Sequence, residues 1–289
     1  MNFNLYKDVK AFYKDTYSTL MERETQNGIL LGNVIIGYEG KDKADWRDPA
    51  NWFMATITDE KSILLVALMT PPHNLTLYAA GNQFDDEVLT CLAKGIIEAD
   101  IKLGGVMTES TLAKEFARIY SQLASVDFEV FQSMRIHELV TVNPDIPLVG
   151  TLRPPKESDI AFFPYWQEGF QSDCFGTALT ICSDIEKYNH YLTKRKLYIL
   201  EDNGTPVSMA MISRELQSVG HVALVYTPPY FRGRGYASSC VAKISQLILD
   251  SGFSKCVLYT DLANPTSNKI YQKIGYQPIC DSLSIRFKW

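Results

Sequence analysis

The sequence predicts a protein of the α+β (α/β) class, built from two halves that each combine a β-sheet with helices. Three observations support this prediction. The chain has 289 residues, which at roughly 150 residues per domain corresponds to two domains. Strand-like runs alternate with amphipathic helical segments in both halves. Two prolines within residues 142–147 interrupt regular structure near the middle of the chain, so we place the boundary there, with domains at 1–145 and 146–289.

The composition is typical of a folded protein. Apolar residues make up 46% of the chain and charged residues 21%. The net charge of -5 disfavours nucleic acid as a partner, because phosphate-binding domains are usually basic. No apolar run approaches the length of about 18 residues that a membrane span needs, and no secretory signal is evident. We therefore expect a cytoplasmic protein that binds neither nucleic acid nor membrane.

Metal binding has little support in the sequence. The six cysteines include no C-x-x-C pair, and the four histidines are scattered along the chain. Zinc sites and disulfide frameworks usually show closer spacing. We expect neither.

Turn and capping residues predict the elements of the C-terminal half. Lys196–Glu201 and Pro206–Ser213 flank an Asn-Gly turn at Asn203, which is typical of a hairpin. Ala237–Ser251 has apolar residues at helical spacing and stops at Gly252. The full predicted order is a strand at 148–152, helices at 156–170 and 183–193, the hairpin, a strand at 221–226, the helix, a strand at 256–260, a helix opening at Asn264-Pro265, and extended chain over 276–289.

The N-terminal half shows a weaker version of the same order. We predict strands at 52–58, 62–69 and 75–80 and helices at 85–100 and 111–123. Both halves carry a Pro-Pro near a strand end, at residues 71–72 and 228–229, and an Ile-Tyr late in a closing helix. These matches suggest an internal duplication, but dipeptides alone leave it open.

The most informative stretch is the turn between the strand at 221–226 and the helix that follows. Residues 232–237 read Arg-Gly-Arg-Gly-Tyr-Ala. Glycines permit a tight backbone turn, and a helix N-terminus presents unpaired N–H groups that can hold a pyrophosphate. Arg232 and Arg234 could add charge pairing to the phosphates. The alternative is an ordinary surface turn with two solvated arginines.

The spacing in this turn discriminates between phosphate-binding motifs. A G-x-G-x-x-G fingerprint would need glycine at Ser238, and the G-x-x-x-x-G-K-[ST] loop is absent. The stretch does fit R-x-x-G-x-A through Arg232, Gly235 and Ala237. It resembles the pyrophosphate-binding loop of the GNAT superfamily of N-acetyltransferases. Residues 264–276 resemble the second motif of that family, N-x-x-[AS]-x-x-x-Y-x-x-x-G-[FY], and the two motifs stand in the family's order.

The resemblance covers residues 196–289 well, 148–193 loosely and the N-terminal half weakly. It implies a mixed, mostly antiparallel sheet flanked by helices, in two tandem GNAT-like halves. The N-terminal half would be a degenerate copy, because Gly81–Asp85 stands where the loop should be and carries an acidic residue. We therefore expect acetyl-CoA to bind only in the C-terminal half.

The resemblance also implies residues that would hold acetyl-CoA. These candidates are Val225, Tyr226, Thr227, Arg232, Gly233, Arg234, Gly235, Tyr236, Ala237, Asn264 and Ser267. The backbone of residues 225–227 would bond the pantetheine arm and direct an N–H at the thioester carbonyl, and the amides of 232–237 would hold the pyrophosphate. Asn264 would contact pantetheine through its side-chain amide, although an Asn before Pro is also an ordinary N-cap.

Tyr271 is the catalytic candidate in this resemblance. A phenol with a pKa of about 10 stays protonated at neutral pH and can donate to a departing thiolate. A packing role is the alternative. The general base is less defined: Glu168, Glu215 and His221 are possible, and each is more simply a solvated or structural side chain.

The resemblance implies an acetyl-CoA-dependent N-acetyltransferase that acts by direct attack of a primary amine, in a small molecule or a peptide. Cys240 and Cys256 fall inside a predicted helix and strand, so we name no thiol nucleophile. Two alternatives stay open. One is a non-catalytic acyl-CoA-binding regulatory protein, and the other is a scaffold whose N-terminal half mediates pairing. The acceptor and the oligomeric state are left open.

Overall fold

The computed structural model describes residues 1–40, 48–60, 62–177, 185–194 and 196–289. The chain forms two compact units. The first comprises Met1–Arg135 together with Cys280–Trp289, and the second comprises Ile136–Ile279. These units differ from domains at 1–145 and 146–289, because the C-terminal residues belong to the first unit. Leu283, Ile285 and Phe287 are buried in its core. No local pattern in the sequence predicts packing between residues so far apart in the chain.

The first unit is a sheet with helices packed on it. Its elements in chain order are β1 (Asn2–Tyr6), α1 (Val9–Met21), α2 (Gly28–Glu39), β2 (Phe53–Thr58), β3 (Ile63–Met69), β4 (Leu75–Ala79), α3 (Asp86–Glu98), β5 (Gly105–Glu109) and α4 (Ser110–Ala124). The C-terminal strand β12 (Gln277–Lys288) completes the order β1-β2-β3-β4-β5-β12. Neighbouring strands are antiparallel except β4 with β5. The predicted β2, β3, β4, α3 and α4 are confirmed.

The second unit begins at Ile136, within β6 (Asp127–Leu139). Its further elements are β7 (Thr151–Arg153), α5 (Phe163–Phe175), α6 (Ile185–Lys194), β8 (Lys196–Asp202), β9 (Thr205–Glu215), β10 (Val219–Tyr226), α7 (Tyr236–Asp250), β11 (Lys255–Asp261) and α8 (Pro265–Ile274). The sheet order is β6-β11-β10-β9-β8-β7. The pairs from β7 to β10 are antiparallel, and β10 with β11 is parallel.

Most predicted elements of the second unit are confirmed. The β8–β9 hairpin turns at Asn203 and Gly204, which both have positive φ, as a tight hairpin turn requires. The predicted strands and helices at 221–226, 237–251, 256–260 and from Asn264 correspond to β10, α7, β11 and α8. Of the helix predicted at 183–193, residues 183 and 184 lie outside the described residues, and the remainder is α6.

The helix predicted at 156–170 is wrong at its start. A short 3-10 turn covers Glu157–Ala161, and α5 begins only at Phe163. The reason is a buried polar contact: the Asp159 carboxylate accepts from the Lys156 amide at 2.7 Å and from both terminal nitrogens of Arg153, at 2.7 and 3.0 Å. This ion pair fixes a turn where a helix pattern would continue. The strand predicted at 148–152 is also shorter, at Thr151–Arg153.

Two apolar clusters cover opposite faces of the second unit's sheet. One contains residues of α7 and α8 together with Leu200, Ala210 and Val222. The other contains residues of α5 and α6 together with Ile199 and Met209. Adjacent strand residues fall in different clusters because side chains alternate between the faces of a sheet. No helix in the described parts of the chain is both long and apolar enough to cross a bilayer.

Candidate active site

The strands β10 and β11 are paired over only part of their length. Their parallel ladder joins Val219–His221 to Lys255–Val257. Beyond this point β10 continues along β9, with an irregularity between Ala223 and Tyr226, where Leu224 has a φ of 52°. A bulge of this kind bends a strand. The C-terminal ends of β10 and β11 therefore separate, and the backbone after the bulge has an edge toward β11 that is available for hydrogen bonds.

The turn after β10 presents backbone amides to open space. Gly233 and Gly235 have φ values of 77° and 81°, which favour glycine. The first helical hydrogen bond of α7 runs from the amide of Ser239 to the carbonyl of Gly235, and no side chain of the described residues caps this helix. The amides of residues 236–238 are therefore among the unpaired donors of a helix start. A Cβ atom built on Gly233 or Gly235 would meet nothing within 4 Å, so the turn has room for an anion.

The two arginines of this turn differ in their contacts. Arg232 Nε donates to the carbonyl of Thr227 at 2.9 Å, and its Nη2 pairs with the carboxylate of Asp173 on α5. Its guanidinium also lies 5.8 Å from the ring centroid of Tyr226. Arg234 is exposed and lies beside Tyr236, whose hydroxyl donates to Asp202 at 2.7 Å. Arg234 is thus the arginine whose charge faces solvent, whereas Arg232 ties the turn to β10 and α5.

The end of β10 is fixed from both sides. Ser208 on β9 donates through its hydroxyl to the carbonyl of Tyr226 at 3.0 Å, and it lies 2.8 Å from the hydroxyl of Thr227. Arg232 holds the carbonyl of Thr227. Preorganised backbone donors stabilise developing negative charge better than mobile ones. The segment Val225–Thr227 is therefore rigid at the position where the resemblance places the thioester. No local pattern in the sequence points to Ser208 or Asp173, because both act through contacts with residues distant in the chain.

Asn264 and Ser267 lie at the start of α8. Asn264 caps the helix, since its Oδ1 accepts from the Ser267 amide at 3.1 Å, and Pro265 follows at the first helical position. The capping interpretation is therefore confirmed. The carboxamide nitrogen points away from this hydrogen bond on an exposed residue, so the cap does not consume the donor that a ligand would use.

Tyr271 is buried on α8, with its ring packed edge-on against Tyr276 at a centroid distance of 6.0 Å. Burial raises the pKa of Tyr271 well above its usual value, and the thiols of Cys174 and Cys240 raise it further. The hydroxyl of Tyr276 contacts Ser245 Oγ at 2.7 Å. In contrast, no hydrogen bond to the Tyr271 hydroxyl is found among the described residues. Tyr271 is thus a protonated phenol whose donor is uncommitted.

The three candidate bases have different surroundings. Glu168 accepts from the hydroxyl of Tyr188 at 3.4 Å. Glu215 is exposed, pairs with Lys196, and stands opposite Gly220, at the other end of β10 from the proposed thioester position. This placement removes Glu215 from the candidate site.

His221 is buried on β10 with 2% of its surface exposed. Burial, and then the charge of Arg214, lowers the pKa of His221 to about 3. Within the described part of the chain, its Nε2 has no hydrogen-bond partner. His221 is therefore neutral near pH 7 and can accept a hydrogen bond, but it holds a proton poorly.

The thiols are poorly suited to nucleophilic catalysis. Burial raises the pKa of Cys240 and of Cys256 to about 12, and it raises the pKa of Cys174 to about 11. A thiolate is the reactive form, so these groups are inert at neutral pH. Within the described ranges, no group of three or more His, Cys, Asp or Glu side chains could hold a metal ion.

The comparisons with known proteins agree with this geometry. The second unit is an α/β sheet structure with an open helix N-terminus beside the separated ends of two parallel strands, and such a helix start can bind an anion. Residues 162–276, which lie within the second unit, match the model of the Acetyltransferase (GNAT) family. No curated protein sequence matches it.

Solved structures share the fold over the whole chain. One is a GNAT-family acetyltransferase from Colwellia psychrerythraea, 10% identical, with 100% of both chains covered and a TM-score of 0.57. Another is a GCN5-related N-acetyltransferase from Sphaerobacter thermophilus, 13% identical, with 99% of this chain and 95% of that chain covered and a TM-score of 0.60. A Drosophila protein is 11% identical over 99% and 98% of the two chains, with a TM-score of 0.61. Coverage of the full length is consistent with two GNAT-like halves.

Proposed function

We propose that this protein is an acetyl-CoA-dependent N-acetyltransferase that transfers an acetyl group to a primary amine by direct attack. The observation that carries the proposal is the row of amides at the start of α7, which faces open space beside the separated ends of β10 and β11. The match of residues 162–276 to the GNAT family model supports acyl transfer, and the geometry of the turn favours a cosubstrate with a diphosphate.

The residues fit coenzyme A on two counts. The glycine turn offers amides and the positive end of a helix dipole to the diphosphate, and exposed Arg234 adds charge. The β11-facing edge of Val225–Thr227 can pair with the amides of the pantetheine arm, as an added strand would. When bound, acetyl-CoA supplies an activated thioester for attack by the amine.

The chemistry assigned to this chain is polarisation and proton donation. An N–H of the rigid segment Val225–Thr227 would donate to the thioester oxygen and stabilise its negative charge during attack. Tyr271 would donate its proton to the sulfur as the C–N bond forms and the C–S bond breaks. The amine nitrogen would then lose one proton to water, and water would return a proton to the Tyr271 phenolate. The raised pKa of Tyr271 keeps its proton available at neutral and moderately alkaline pH.

Neither Glu215 nor His221 is placed to remove a proton from the amine, because Glu215 stands opposite Gly220 and His221 is buried. An alkyl ammonium has a pKa of about 10.4, whereas the pKa of His221 is lowered to about 3. We therefore propose that the neutral amine is the form that binds and attacks. The acid limb of the rate profile should then move with the pKa of the acceptor. An acid limb that stays fixed across acceptors would instead indicate a base in the protein.

The proposed acceptor is an amine of a small molecule or a peptide, and the proposed location is the cytoplasm. The net charge of -5 is compatible with a cationic acceptor and disfavours nucleic acid.

Release of coenzyme A thiol in the presence of a broad panel of amines tests the proposal. We expect turnover with some amines and only slow background without them. Tight binding of acetyl-CoA without turnover on any amine would favour the second candidate, a regulatory protein that binds acyl-CoA. The observation that favours this alternative is that Glu215 and His221 both lie toward the start of β10, away from the proposed thioester position.

A further inference from the structure

A buried polar network joins β6, β11 and α8 beneath the candidate site. His137 is fully buried and Thr260 is 4% exposed. His137 Nε2 lies 3.2 Å from Thr260 Oγ1 and 3.3 Å from Asn268 Oδ1. The hydroxyl of Thr260 donates to Asn268 Oδ1 at 2.6 Å. Neither Thr260 nor His137 belongs to a motif that the sequence analysis singled out, and Asn268 occupies an unspecified position of the second motif.

The donors and acceptors of this network fit together in one way. Asn268 Nδ2 donates to the carbonyl oxygens of Asp261 and Asn264, at 3.0 and 2.8 Å. Carbonyls only accept, so the orientation of the Asn268 carboxamide is fixed, and its Oδ1 faces Thr260 and His137. Because the Thr260 proton goes to Asn268, the contact with His137 requires a proton on the histidine Nε2. The network is therefore a directed chain from His137 through Thr260 to Asn268.

The network ends on the backbone that carries the two site residues of α8. The amide of Asn264 also donates to the carbonyl of Asp261, at 3.0 Å. Asn268 thus clamps the turn from Asp261 to Asn264. It also lies one helical turn after Asn264 and one turn before Tyr271, on the same helix. A shift of Asn268 would move both Asn264 and Tyr271.

We propose that Asn268, held in place by Thr260 and His137, is a positioning residue for acetyl transfer. It sets the Asn264 carboxamide and the Tyr271 hydroxyl relative to the pantetheine arm and the sulfur, and it touches neither substrate. This inference rests on the proposed function. Burying the polar side chains of His137 and Thr260 costs desolvation that apolar residues would avoid, so the network's contribution lies in fixing geometry. Misplacement of a reacting group by about 1 Å can cost roughly a hundredfold in rate.

The test compares Thr260→Val, which keeps the shape but removes the hydroxyl, with Thr260→Ser, which keeps the hydroxyl. Asn268→Ala removes the clamp, and Gln272→Ala, at an exposed position of α8, is the matched control. We expect kcat to fall about tenfold or more in Thr260→Val and Asn268→Ala, with a much smaller change in KM for the amine. Thr260→Ser and Gln272→Ala should keep the wild-type rate. The kinetics are measured well below the melting temperatures of the variants. The proposal is overturned if Thr260→Val and Thr260→Ser then have equal kcat.

A second measurement does not depend on turnover. Calorimetry gives the affinity of each variant for acetyl-CoA and for 3′-phosphoadenosine 5′-diphosphate, which lacks the pantetheine arm. Asn268→Ala should lower the affinity for acetyl-CoA severalfold and leave the affinity for the nucleotide unchanged, because the α7 turn is intact. Equal weakening of both ligands, or of neither, would refute the positioning role. If wild-type protein binds acetyl-CoA but acetylates no amine, the proposed function fails while this comparison still decides the inference.

Discussion

Helices α3 and α7 follow equivalent strands in the two units, yet their N-termini are chemically opposite. Asp85 caps α3 by accepting from the amide of Val88 at 2.9 Å, and Asp86 and Glu87 add negative charge in the first turn. Gly235 caps α7 without a side chain, and no acidic residue stands in its first turn. Carboxylates that satisfy a helix start internally leave nothing for an external anion. The same fold therefore has one closed helix start and one open one.

The strands before these helices differ in a related way. In the first unit the ladder between β4 and β5 stops at Thr76, and the hydroxyl of Thr108 on β5 then donates across to the carbonyl of Leu77 at 2.7 Å. In the second unit the ladder stops at His221, and the hydroxyl of Thr260 on β11 donates instead to Asn268 Oδ1 on α8. A side chain that bridges the gap competes with a ligand for the same carbonyls. We therefore keep the prediction that acetyl-CoA binds only to the second unit.

The largest expected effect is on cosubstrate binding by Gly235→Val. Valine disfavours a φ of 81° and would turn amides away from the diphosphate. Losing two charge-assisted hydrogen bonds, at about 1.5–3 kcal/mol each, should weaken acetyl-CoA roughly a thousandfold. Gly81→Val is the matched control, since Gly81 has a φ of 62° and equally open space in the first unit. Calorimetry should show no change for the control; similar losses in both variants would break the comparison.

The second-largest expected effect is a loss of turnover in the variant Tyr271→Phe. Removing a general acid should lower kcat by about a hundredfold with little change in the affinity for acetyl-CoA. Tyr120, the tyrosine of the matching Ile-Tyr pair, donates instead to the carbonyl of Ile101 at 3.4 Å, so Tyr120→Phe should leave kcat unchanged. Steady-state kinetics with a saturating amine measures both. A Tyr271→Phe enzyme with the wild-type kcat would remove the acid role.

A smaller effect concerns stability at acid pH. His221 has a pKa lowered to about 3 in the folded protein, against an ordinary value of 6.5. Between these two pKa values, His221 is protonated in the unfolded chain and neutral in the folded protein. The free energy of unfolding therefore decreases as the pH falls from 6.5 toward 3, by at most about 1.4 kcal/mol per pH unit.

The variant His221→Leu should remove that part of the pH dependence, as measured by denaturant unfolding at pH 7, 5.5 and 4.5. Thr76 ends the corresponding ladder and has its hydroxyl satisfied by the carbonyl of Leu68 at 2.8 Å, so Thr76→Val is the comparison without a titrating group. A pH dependence that is unchanged in His221→Leu would show that the histidine is not the source.

The smallest expected effect is a gain in affinity for acetyl-CoA. Asp173 pairs with Arg232 near the turn, and both side chains are about half exposed. Asp173→Asn would remove negative charge near the diphosphate and release Arg232, so acetyl-CoA should bind about two- to fivefold more tightly, less so at high salt. Glu129→Gln, in an equally exposed pair with Lys288 of the first unit, is the control. Weaker binding by Asp173→Asn would mean that the ion pair shapes the site instead of competing with the ligand.

Local signals in the sequence are sufficient for much of the fold and for the turn. Asn203 and Gly204 predict the hairpin, and Asn264 before Pro265 predicts the start of α8, because each acts within a few residues. Helix α2 escapes prediction because Gly28–Glu39 is apolar around most of its circumference and shows little amphipathic periodicity.

Local patterns in the sequence do not specify contacts between residues that are far apart in the chain. The sequence motif predicts that Arg232 binds phosphate, whereas in the structure its side chain contacts Thr227 and Asp173. Glu215 reads as a candidate base until its place on β9 is known. The C-terminal strand joins the first unit through pairing with Gly105–Glu109. Each of these outcomes depends on tertiary contacts.

A crystal structure with bound coenzyme A tests the central claim most directly. We predict diphosphate density against the amides of residues 233–238 at the start of α7, the pantetheine arm along Val225–Thr227, and none at the start of α3. Density at α3, or a diphosphate bound away from α7, would contradict the account.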